Sequence, residues 1–440
     1  MKFLEERFQL NIHNRSLKSE AIGGCTTFMT MAYIIFVQPT VLSAAGMDFG
    51  AVFTATCISS AIAILIMGFL ANYPIALAPG MGQNFYFSYV VVLAMGVSWQ
   101  RALGAVFIAG IVFIALSFFG FREKVINAIP DSLKHAIAAG IGLMITFIGL
   151  EWAGFVVDDP AVYVTFTDFH SGGSQLALAG LIITAILIIR KIPGSMLIGI
   201  VLTTLIGLTT GVITYKGIFS MPPSLSPTFM QLDLSGLYHI DLILVIITFF
   251  LLDLFDTVGT LIGVAGEAGL LKEGKLPGAE KALLSDAIGT VVGAVLGTST
   301  VTSYVESATG VAAGARTGLA NIFTALLFIM ALFFSPLISM VGSGIELSDG
   351  IILRPTVAPV LILIGIYMFR NLRHINWKDF SECIPVYLTV LVITFSFSPT
   401  EGIGIGFISY TLFKLVRGRI NEVPVLLRIF AVVFLLKYFI

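Results

Sequence analysis

Long apolar stretches, separated by shorter polar connections, follow one another along the 440-residue chain. A helix that crosses a membrane needs about 20 mostly apolar residues, and about fourteen stretches approach that length. They lie at about 22–44, 51–71, 74–95, 102–119, 136–156, 174–190 and 195–214 in the first half, and at about 239–266, 283–297, 301–316, 318–338, 350–370, 384–399 and 402–417 in the second. The pattern predicts an all-α integral membrane protein with about fourteen transmembrane helices.

The two ends of the chain differ from these stretches. Residues 1–20 are polar and mixed in charge, without the apolar core of a secretory signal, so we expect a cytoplasmic N-terminal segment. Residues 421–440 are apolar again, but Arg428 and Lys437 interrupt them. We interpret this tail as an interfacial helix, with a fifteenth span as the alternative.

The composition supports a membrane protein and excludes several other classes. Hydrophobic residues make up 57% of the chain and charged residues 11%, against about a quarter charged in soluble domains. A formal net charge of -1 argues against binding to nucleic acid. The three cysteines, Cys25, Cys57 and Cys383, are scattered and lack metal-ligand spacing. We expect neither a cofactor nor a metal site.

The distribution of positive charge predicts the orientation. With the N-terminus inside, threading fourteen spans places most lysines and arginines on the inner side and leaves Arg101, Lys216 and Arg354 outside. An excess of positive residues in cytoplasmic loops is the general rule for membrane proteins. We therefore expect a multi-pass protein of the plasma or inner membrane with both termini in the cytoplasm.

Two of the predicted spans contain interruptions at matching places. Residues 78–84 of the third span read APGMGQN, and residues 297–306 of the tenth read GTSTVTSYVE. Pro79 donates no backbone hydrogen bond, and a run of Thr, Ser and Val favours extended chain. Transporters are often two inverted repeats whose broken helices form the site, which favours seven plus seven spans with a site between the breaks. The alternative is that these small and polar residues serve close helix packing.

Three carboxylates fall inside predicted spans of the second half. Asp253 and Asp256 are three residues apart and would share a helix face, and Glu306 follows the break in the tenth span. Charged groups at membrane depth are costly and usually functional. Such groups accept hydrogen bonds from the N–H donors of a planar heterocycle when ionised, and they can carry a proton. The alternative is that each holds a neighbouring helix. Glu151 is nearer a span end, where we expect it to reach the membrane surface.

Other side chains near the breaks are candidates for the same site. Asn84 is the polar residue just past the first break. Phe85 and Tyr304 flank the polar positions, where they would stack on a flat ring or, alternatively, fill space between helices.

Four segments together resemble a known family. They read GGCTTFMTMAYIIFVQPTVL, IALAPGMGQNFYF, FDTVGTLIGVA and GTSTVTSYVESATGVAAGARTGL, and they resemble the AzgA-like purine permeases of the nucleobase:cation symporters, relatives of the nucleobase–ascorbate transporters. The resemblance implies fourteen helices as 7+7 inverted repeats, with short strands in the third and tenth spans. It implies a core domain of residues 21–120 and 239–340 and a gate domain of residues 121–238 and 341–420.

The resemblance also implies the function and the site. Similar proteins take up hypoxanthine and guanine, or adenine, by proton symport, and homodimers are common among their relatives. Asp256 and Glu306 match the two acidic binding positions, and Gly82 and Asn84 match the third-span positions. This chain departs from the family pattern at Gln83, where leucine is commonest, and at Thr260, where uracil-transporting relatives have a histidine. Both are candidate binding residues, and Asp256, Glu306 and Asp253 are the candidate proton carriers.

Two other classes of protein remain as alternatives. An anion exchanger or channel of the same architecture would need basic or neutral groups at the half-helix starts, whereas Glu306 stands at one of them. A membrane-embedded transferase would need a second acidic pair, an HExxH motif or a phosphate-binding lysine cluster, and none is visible in the sequence. We therefore expect a transporter rather than an enzyme.

Overall fold

The architecture was determined from a computed structural model. The structure describes residues 2–8, 16–118, 129–167, 169–237, 239–271, 276–342, 344–346 and 352–438. Its elements in the first half are α1 (Lys2–Phe8), α2 (Leu17–Met31), α3 (Ile34–Ala44), α4 (Phe49–Ile66) with a π-helical turn (Met67–Ala71), β1 (Leu77–Pro79), α5 (Met81–Phe85) with a π-helical continuation (Tyr86–Ala94), α6 (Trp99–Phe118), α7 (Asp131–Trp152), β2 (Val156–Asp159), β3 (Tyr163–Phe166), α8 (Gly172–Ile189) and α9 (Ser195–Thr209).

The second half again alternates helices with three short strands. Its elements are α10 (Ile240–Glu267), α11 (Ala279–Leu296), β4 (Val301–Ser303), α12 (Ser307–Ala312), α13 (Leu319–Ala331) with a 3₁₀ turn (Leu332–Phe334), α14 (Ser335–Gly342), β5 (Ile345–Glu346), β6 (Ile352–Leu353), α15 (Ala358–Phe369) with a 3₁₀ segment (Arg370–His374), α16 (Phe380–Ser396), α17 (Pro399–Val416) with a 3₁₀ turn (Ile420–Glu422), and α18 (Val425–Lys437).

The predicted all-α membrane fold is confirmed, and each of the fourteen predicted spans has a helical counterpart among the described residues. Seven helical stretches in that part of the chain are long and apolar enough to cross a membrane by themselves. The other counterparts are shorter, less apolar or interrupted, such as α9 with 15 residues and α15 with 12. Short and broken helices are typical of transporters built from inverted repeats.

Several predicted boundaries need correction. Helices α2 and α7 begin at Leu17 and Asp131, each five residues earlier than expected, and α9 ends at Thr209, five residues before the expected end. The twelfth span was expected at 350–370, but α15 begins at Ala358. Residues 352–353 instead pair with β5, and Pro355 disfavours helical backbone at the residue before it. The ninth span begins at Ala279 rather than near residue 283, directly after Gly278, whose φ of 72° favours glycine.

The helices pack in two groups. Helices α2, α4, α6, α10, α11 and α13 contact one another, while α7, α8, α9, α15, α16 and α17 form a second set of neighbours. Small residues permit the close approach within the first group. A Cβ atom on Gly318, just before α13, would lie 2.2 Å from the carbonyl oxygen of Gly68. Tight packing over small residues is how membrane helices associate without a hydrophobic driving force.

The C-terminal helix α18 lies against α17. It has 13 residues, about as many as the accepted span α15, so its interpretation as an interfacial helix stays a prediction. The ammonium group of Lys437 forms an ion pair with Glu401, and the hydroxyl of Tyr438 donates to the same carboxylate at 2.5 Å. These contacts hold the end of α18 to the start of α17.

A charged cluster joins the ends of α16 and α17. The Lys414 side chain is 1% exposed and donates to Glu382 and Glu422, each at 3.1 Å. Nearby, the hydroxyl and backbone N–H of Ser381 donate to Asp379 and lower the pKa of its carboxyl group to about 2. The cluster therefore carries ionised carboxylates that fix the positions of both helices.

Candidate functional site

A cavity of about 740 Å³ opens between the two groups of helices. Its volume lies within the range of small-molecule sites, roughly 300–1,000 Å³. The first group contributes residues of α2, β1–α5, α10 and β4–α12, and the second contributes the α8–α9 connection and α15. The polar and glycine lining residues from the first group are Thr26, Thr30, Tyr33, Gly80, Gly82, Asp256, Thr260, Thr302, Ser303, Tyr304, Glu306 and Thr309.

The paired strands β1 and β4 form the floor of this site. They run antiparallel, with Ala78 opposite Thr302. The N–H of Gly80 donates to Thr300 O and that of Tyr304 donates to Ala76 O, both at 2.9 Å. Pro79 lacks an N–H and ends the first strand, after which α5 begins. The predicted breaks are thus confirmed as two short strands, each followed by a short helix, and they satisfy each other's backbone groups at membrane depth.

Two predicted carboxyl groups face the cavity. Glu306 lies where β4 turns into α12 and is half-buried, and its Oε1 accepts the Tyr33 hydroxyl at 2.6 Å. Asp256 on α10 is exposed to the cavity, and none of the described residues donates a hydrogen bond to it. The site therefore offers two hydrogen-bond acceptors on opposite elements.

Tyr33 is a site residue that the sequence analysis missed. It lies between α2 and α3, where the first span is interrupted, 273 positions from its partner Glu306. Thr26, Thr30 and Tyr33 line the same cavity. Their spacing of four and three residues gives a polar stripe on an otherwise apolar span, and that stripe was the available signal.

Three further predicted residues contribute to the cavity wall. The Tyr304 ring lies 6.4 Å from the Tyr33 ring, and its hydroxyl donates to Pro79 O at 2.5 Å. Thr260 is one turn beyond Asp256 on the same face of α10. At Gly82 a Cβ atom would lie 2.7 Å from Cγ2 of Ile141 on α7, so glycine lets the two groups of helices approach there.

Asn84, Gln83 and Phe85 do not line the cavity and lie behind it. Asn84 Nδ2 donates to Gln38 Oε1 at 2.8 Å, and Gln38 Nε2 in turn donates to Ser299 Oγ at 2.8 Å. This chain of amides fixes α5 to α3 and to the segment before β4. The predicted binding role of Asn84 stays a prediction, while the geometry gives it a positioning role.

Gln83 and Phe85 point into protein as well. When the Gln83 amide is oriented so that its nitrogen and its oxygen both form hydrogen bonds, it donates to Thr300 O at 3.3 Å and accepts the Asp253 N–H at 3.2 Å. Phe85 packs against Tyr89 at 5.9 Å and Trp152 at 6.1 Å between ring centroids. Neither side chain reaches the cavity, so their predicted contacts with a ligand stay predictions.

Asp253 lies outside the cavity, in a buried polar network. The Thr290 hydroxyl donates to Asp253 Oδ2 at 3.0 Å, and the Thr257 hydroxyl donates to Asp286 Oδ1 at 2.7 Å. Asp286, on α11, was missed by the sequence analysis. It falls inside the predicted span 283–297, so it was recognisable as a fourth carboxyl group at membrane depth.

Comparison with known proteins identifies the relatives of this chain. It is 46% identical over 444 residues to the guanine/hypoxanthine permease PbuG of Bacillus subtilis, covering 98% of each chain. It is 43% identical over 435 residues to the adenine permease AdeP of Escherichia coli, covering 99% of this chain and 95% of the other.

The fold has solved counterparts at low sequence identity. The transmembrane domain of the cyanobacterial bicarbonate transporter BicA superposes with a TM-score of 0.66 at 16% identity, covering 88% of this chain and 97% of the other. The sequence model of the Permease family matches residues 18–405. The chain therefore belongs to the Permease family, as its motifs predict, and is a membrane transport protein rather than an enzyme.

Proposed function

We propose that this protein imports a purine nucleobase by proton symport with alternating access, hypoxanthine or guanine first and adenine next. The relatives reported above are named for guanine, hypoxanthine and adenine. The observation that carries the proposal is the placement of Asp256 and Glu306 on one cavity next to paired strands. Acceptor groups that line the same small cavity suit a flat heterocycle with N–H donors on its edges.

Each acceptor has a distinct role in this proposal. Glu306 accepts hydrogen bonds from N1–H of the purine and, in guanine, from the exocyclic amine. Asp256 accepts from an N–H of the other ring, and the Tyr304 ring packs on the base. The Tyr33 hydroxyl donates to Oε1 of Glu306 and holds the carboxylate in place, so Oε2 is the proposed acceptor for N1–H of the base. Asp256, Glu306 and Asp253 are the candidates for the group that carries the proton.

Alternating access follows from the two groups of helices. We assign residues 21–120 and 239–340 to a core domain and residues 121–238 and 341–420 to a gate domain. The separate packing of the two groups supports this division, and the cavity lies between them. Lys191, in the α8–α9 connection, and Tyr367, in the last turn of α15 before Arg370, line the cavity on the lysine- and arginine-rich side. With both termini cytoplasmic, this is an inward-facing arrangement.

An anion exchanger or channel is the second candidate, favoured by the shared fold with BicA. At 16% identity, the likeness to BicA shows a shared fold and does not indicate a shared substrate. Asp256 and Glu306 would repel an anion in a cavity with little water, since the interaction between charges is several-fold stronger there than in bulk water. Purine uptake remains the better proposal.

The test is uptake of radiolabelled hypoxanthine into proteoliposomes with an imposed pH gradient, in competition with each unlabelled base. Gradient-driven uptake that is blocked by guanine but not by adenine supports the proposal and its first substrate choice. Competition by adenine alone keeps the mechanism and changes the substrate. If no base is taken up while bicarbonate or chloride is, the second candidate is correct.

A further inference from the structure

A cluster of aromatic side chains lies between the cavity and the predicted outer side of the protein. Gly82 lines the cavity, and Phe85 and Tyr89 follow it three and seven residues later, along α5 and its π-helical continuation. The Phe85 ring lies 5.9 Å from the Tyr89 ring and 6.1 Å from the ring of Trp152, the last residue of α7. Phe85 is fully buried and Trp152 is 3% exposed, so these rings pack closely where α5 and α7 lead from the cavity to the outer side.

This aromatic cluster joins the two groups of helices. The π-helical continuation of α5 packs on α3 and on α6 of the first group, whereas α7 belongs to the second group. Between them, the indole N–H of Trp152 donates to the Tyr89 hydroxyl at 3.1 Å. In the proposed transport cycle the two groups move relative to each other, so a hydrogen bond that crosses from one group to the other responds to that movement.

Arg354 fixes Trp152 to the second group. The backbone N–H of Arg354, which lies shortly before α15, donates to Trp152 O at 2.8 Å. Its guanidinium carbon lies 4.5 Å from the centroid of the Trp152 ring. A cation over an aromatic face is attracted by the negative charge of that face. Both contacts hold the indole in the orientation in which its N–H meets Tyr89.

The π-helical backbone lets one segment of the first group contact two helices of the second. π-Helical stretches are rare and are frequently found at functional sites. Because a π-helix has more residues per turn than an α-helix, side chains three residues apart point in more different directions on it. The Tyr86 hydroxyl lies 2.5 Å from that of Thr400 on α17, whereas Tyr89 contacts Trp152 on α7. The segment Tyr86–Ala94 is therefore bonded to both helices.

We propose that the π-helical segment Tyr86–Ala94 is the outer gate of the transporter, closed in this structure, and that the hydrogen bond between Tyr89 and Trp152 helps to hold it closed. The assignment rests on the alternating access of the proposed function. The gate opens when α7 moves away from the segment. This movement separates Trp152 from Tyr89, uncovers Phe85 and connects the cavity to the outer side.

Labelling of a cysteine in the cavity tests the gate without transport. Val305 lines the cavity and is 57% exposed, so Val305→Cys places a reactive thiol there. A membrane-impermeant maleimide added to intact cells reaches this thiol only while the outer gate is open. Loss of one neutral hydrogen bond changes an equilibrium by about 2- to 10-fold, so adding Tyr89→Phe should raise the labelling rate by about that factor. An unchanged or lower rate overturns the proposal.

The closed state of the gate has its own check. In inside-out membrane vesicles the maleimide meets the predicted cytoplasmic side, and Val305→Cys alone should react faster there than in intact cells. Equal rates from both sides, or a faster rate in intact cells, would show that the cavity is not closed toward the outer side and would refute the assignment.

Tyr73→Phe is the matched control. Tyr73 is 6% exposed and its hydroxyl donates to Pro277 O, so the same chemical change removes a hydrogen bond between the turn before β1 and the turn before α11. That bond does not reach the second group of helices, and we expect Tyr73→Phe to leave the labelling rate unchanged. An equal rise in Tyr73→Phe would indicate general loosening and would overturn the assignment. Matched variants that keep Val305 give the background from the three native cysteines.

Trp152→Phe removes the donor of the same hydrogen bond and keeps an aromatic ring. It should raise the labelling rate as Tyr89→Phe does, and the two changes together should raise it no further, because residues that share one interaction are not additive. Rises that multiply in the double variant count against the bond. If Tyr89→Phe does not reach the membrane, Trp152→Phe alone decides, and an unchanged rate in it overturns the proposal.

Uptake measurements separate this inference from the proposed function. If the labelling rates change as expected while the wild type takes up no base, purine transport fails and the gate assignment stands. If the wild type takes up hypoxanthine while Tyr89→Phe and Trp152→Phe both leave the labelling rate unchanged, purine transport stands and the gate assignment fails.

Discussion

Replacing Glu306 with glutamine tests the residue that is proposed to accept N1–H of the purine. The side chain keeps its size, and the amide oxygen still accepts the Tyr33 hydroxyl that now donates to Oε1 at 2.6 Å. The other carboxylate oxygen, the proposed acceptor for N1–H of the base, is replaced by an NH₂ group. This group is a donor, so it faces another donor. A hydrogen bond to a charged acceptor is worth about 1.5–3 kcal/mol, so hypoxanthine affinity should fall about 10- to 100-fold.

The assay is direct binding of hypoxanthine to purified protein, together with uptake into proteoliposomes. Glu151→Gln is the matched control, because Glu151 lies on α7, does not line the cavity and undergoes the same chemical change. We expect the control to bind and transport like the wild type. Wild-type affinity in Glu306→Gln, in protein that is folded and inserted, would show that Glu306 does not contact the base.

Three other changes probe neighbouring features, each by a different measurement. Tyr33→Phe removes the hydroxyl that holds Oε1 of Glu306 in place, so it should weaken hypoxanthine binding in a titration, and unchanged binding would contradict a positioning role. Gly82→Ala places a methyl group about where Ile141 now lies, so it should lower the maximal rate of uptake more than the affinity. Lys414→Ala leaves Glu382 without its cation and Glu422 with Arg419 alone, so it should lower the free energy of unfolding by about 1–3 kcal/mol, and with it the melting temperature, without changing the affinity for hypoxanthine.

The sequence was most informative where local chemistry dictates the structure. Apolar stretches long enough to cross a membrane locate the helices, since no other backbone arrangement is satisfied in lipid apart from a closed barrel. Pro79 and the β-branched run at 300–302 located the two breaks. The carboxyl groups of Asp256 and Glu306 were recognisable because a charge at membrane depth is rarely accidental.

The remainder depended on contacts between distant parts of the chain. The hydrogen bond between Tyr33 and Glu306 joins residues 273 positions apart, and the sequence around either residue does not indicate that the two pair. The sequence shows that Asn84 is polar, but not whether its side chain faces a ligand or another amide. In the structure, the Asn84 amide donates to Gln38. Asp253 shares a helix face with Asp256 by spacing, yet the two diverge. Asp256 lines the cavity, whereas Asp253 lies behind it and accepts the Thr290 hydroxyl.

In the proposed transport cycle, the strand pair would make the core move as one body. Outside helices, backbone groups at membrane depth need partners, and β1 and β4 obtain them from each other through Gly80, Thr300, Tyr304 and Ala76. Sliding one strand past the other would break these bonds where little water is available to replace them. The two half-helices and their site residues are therefore fixed to a single unit. In the proposed transport cycle, access would alternate through movement of the gate helices relative to that unit, which lies close to α7 at Gly82.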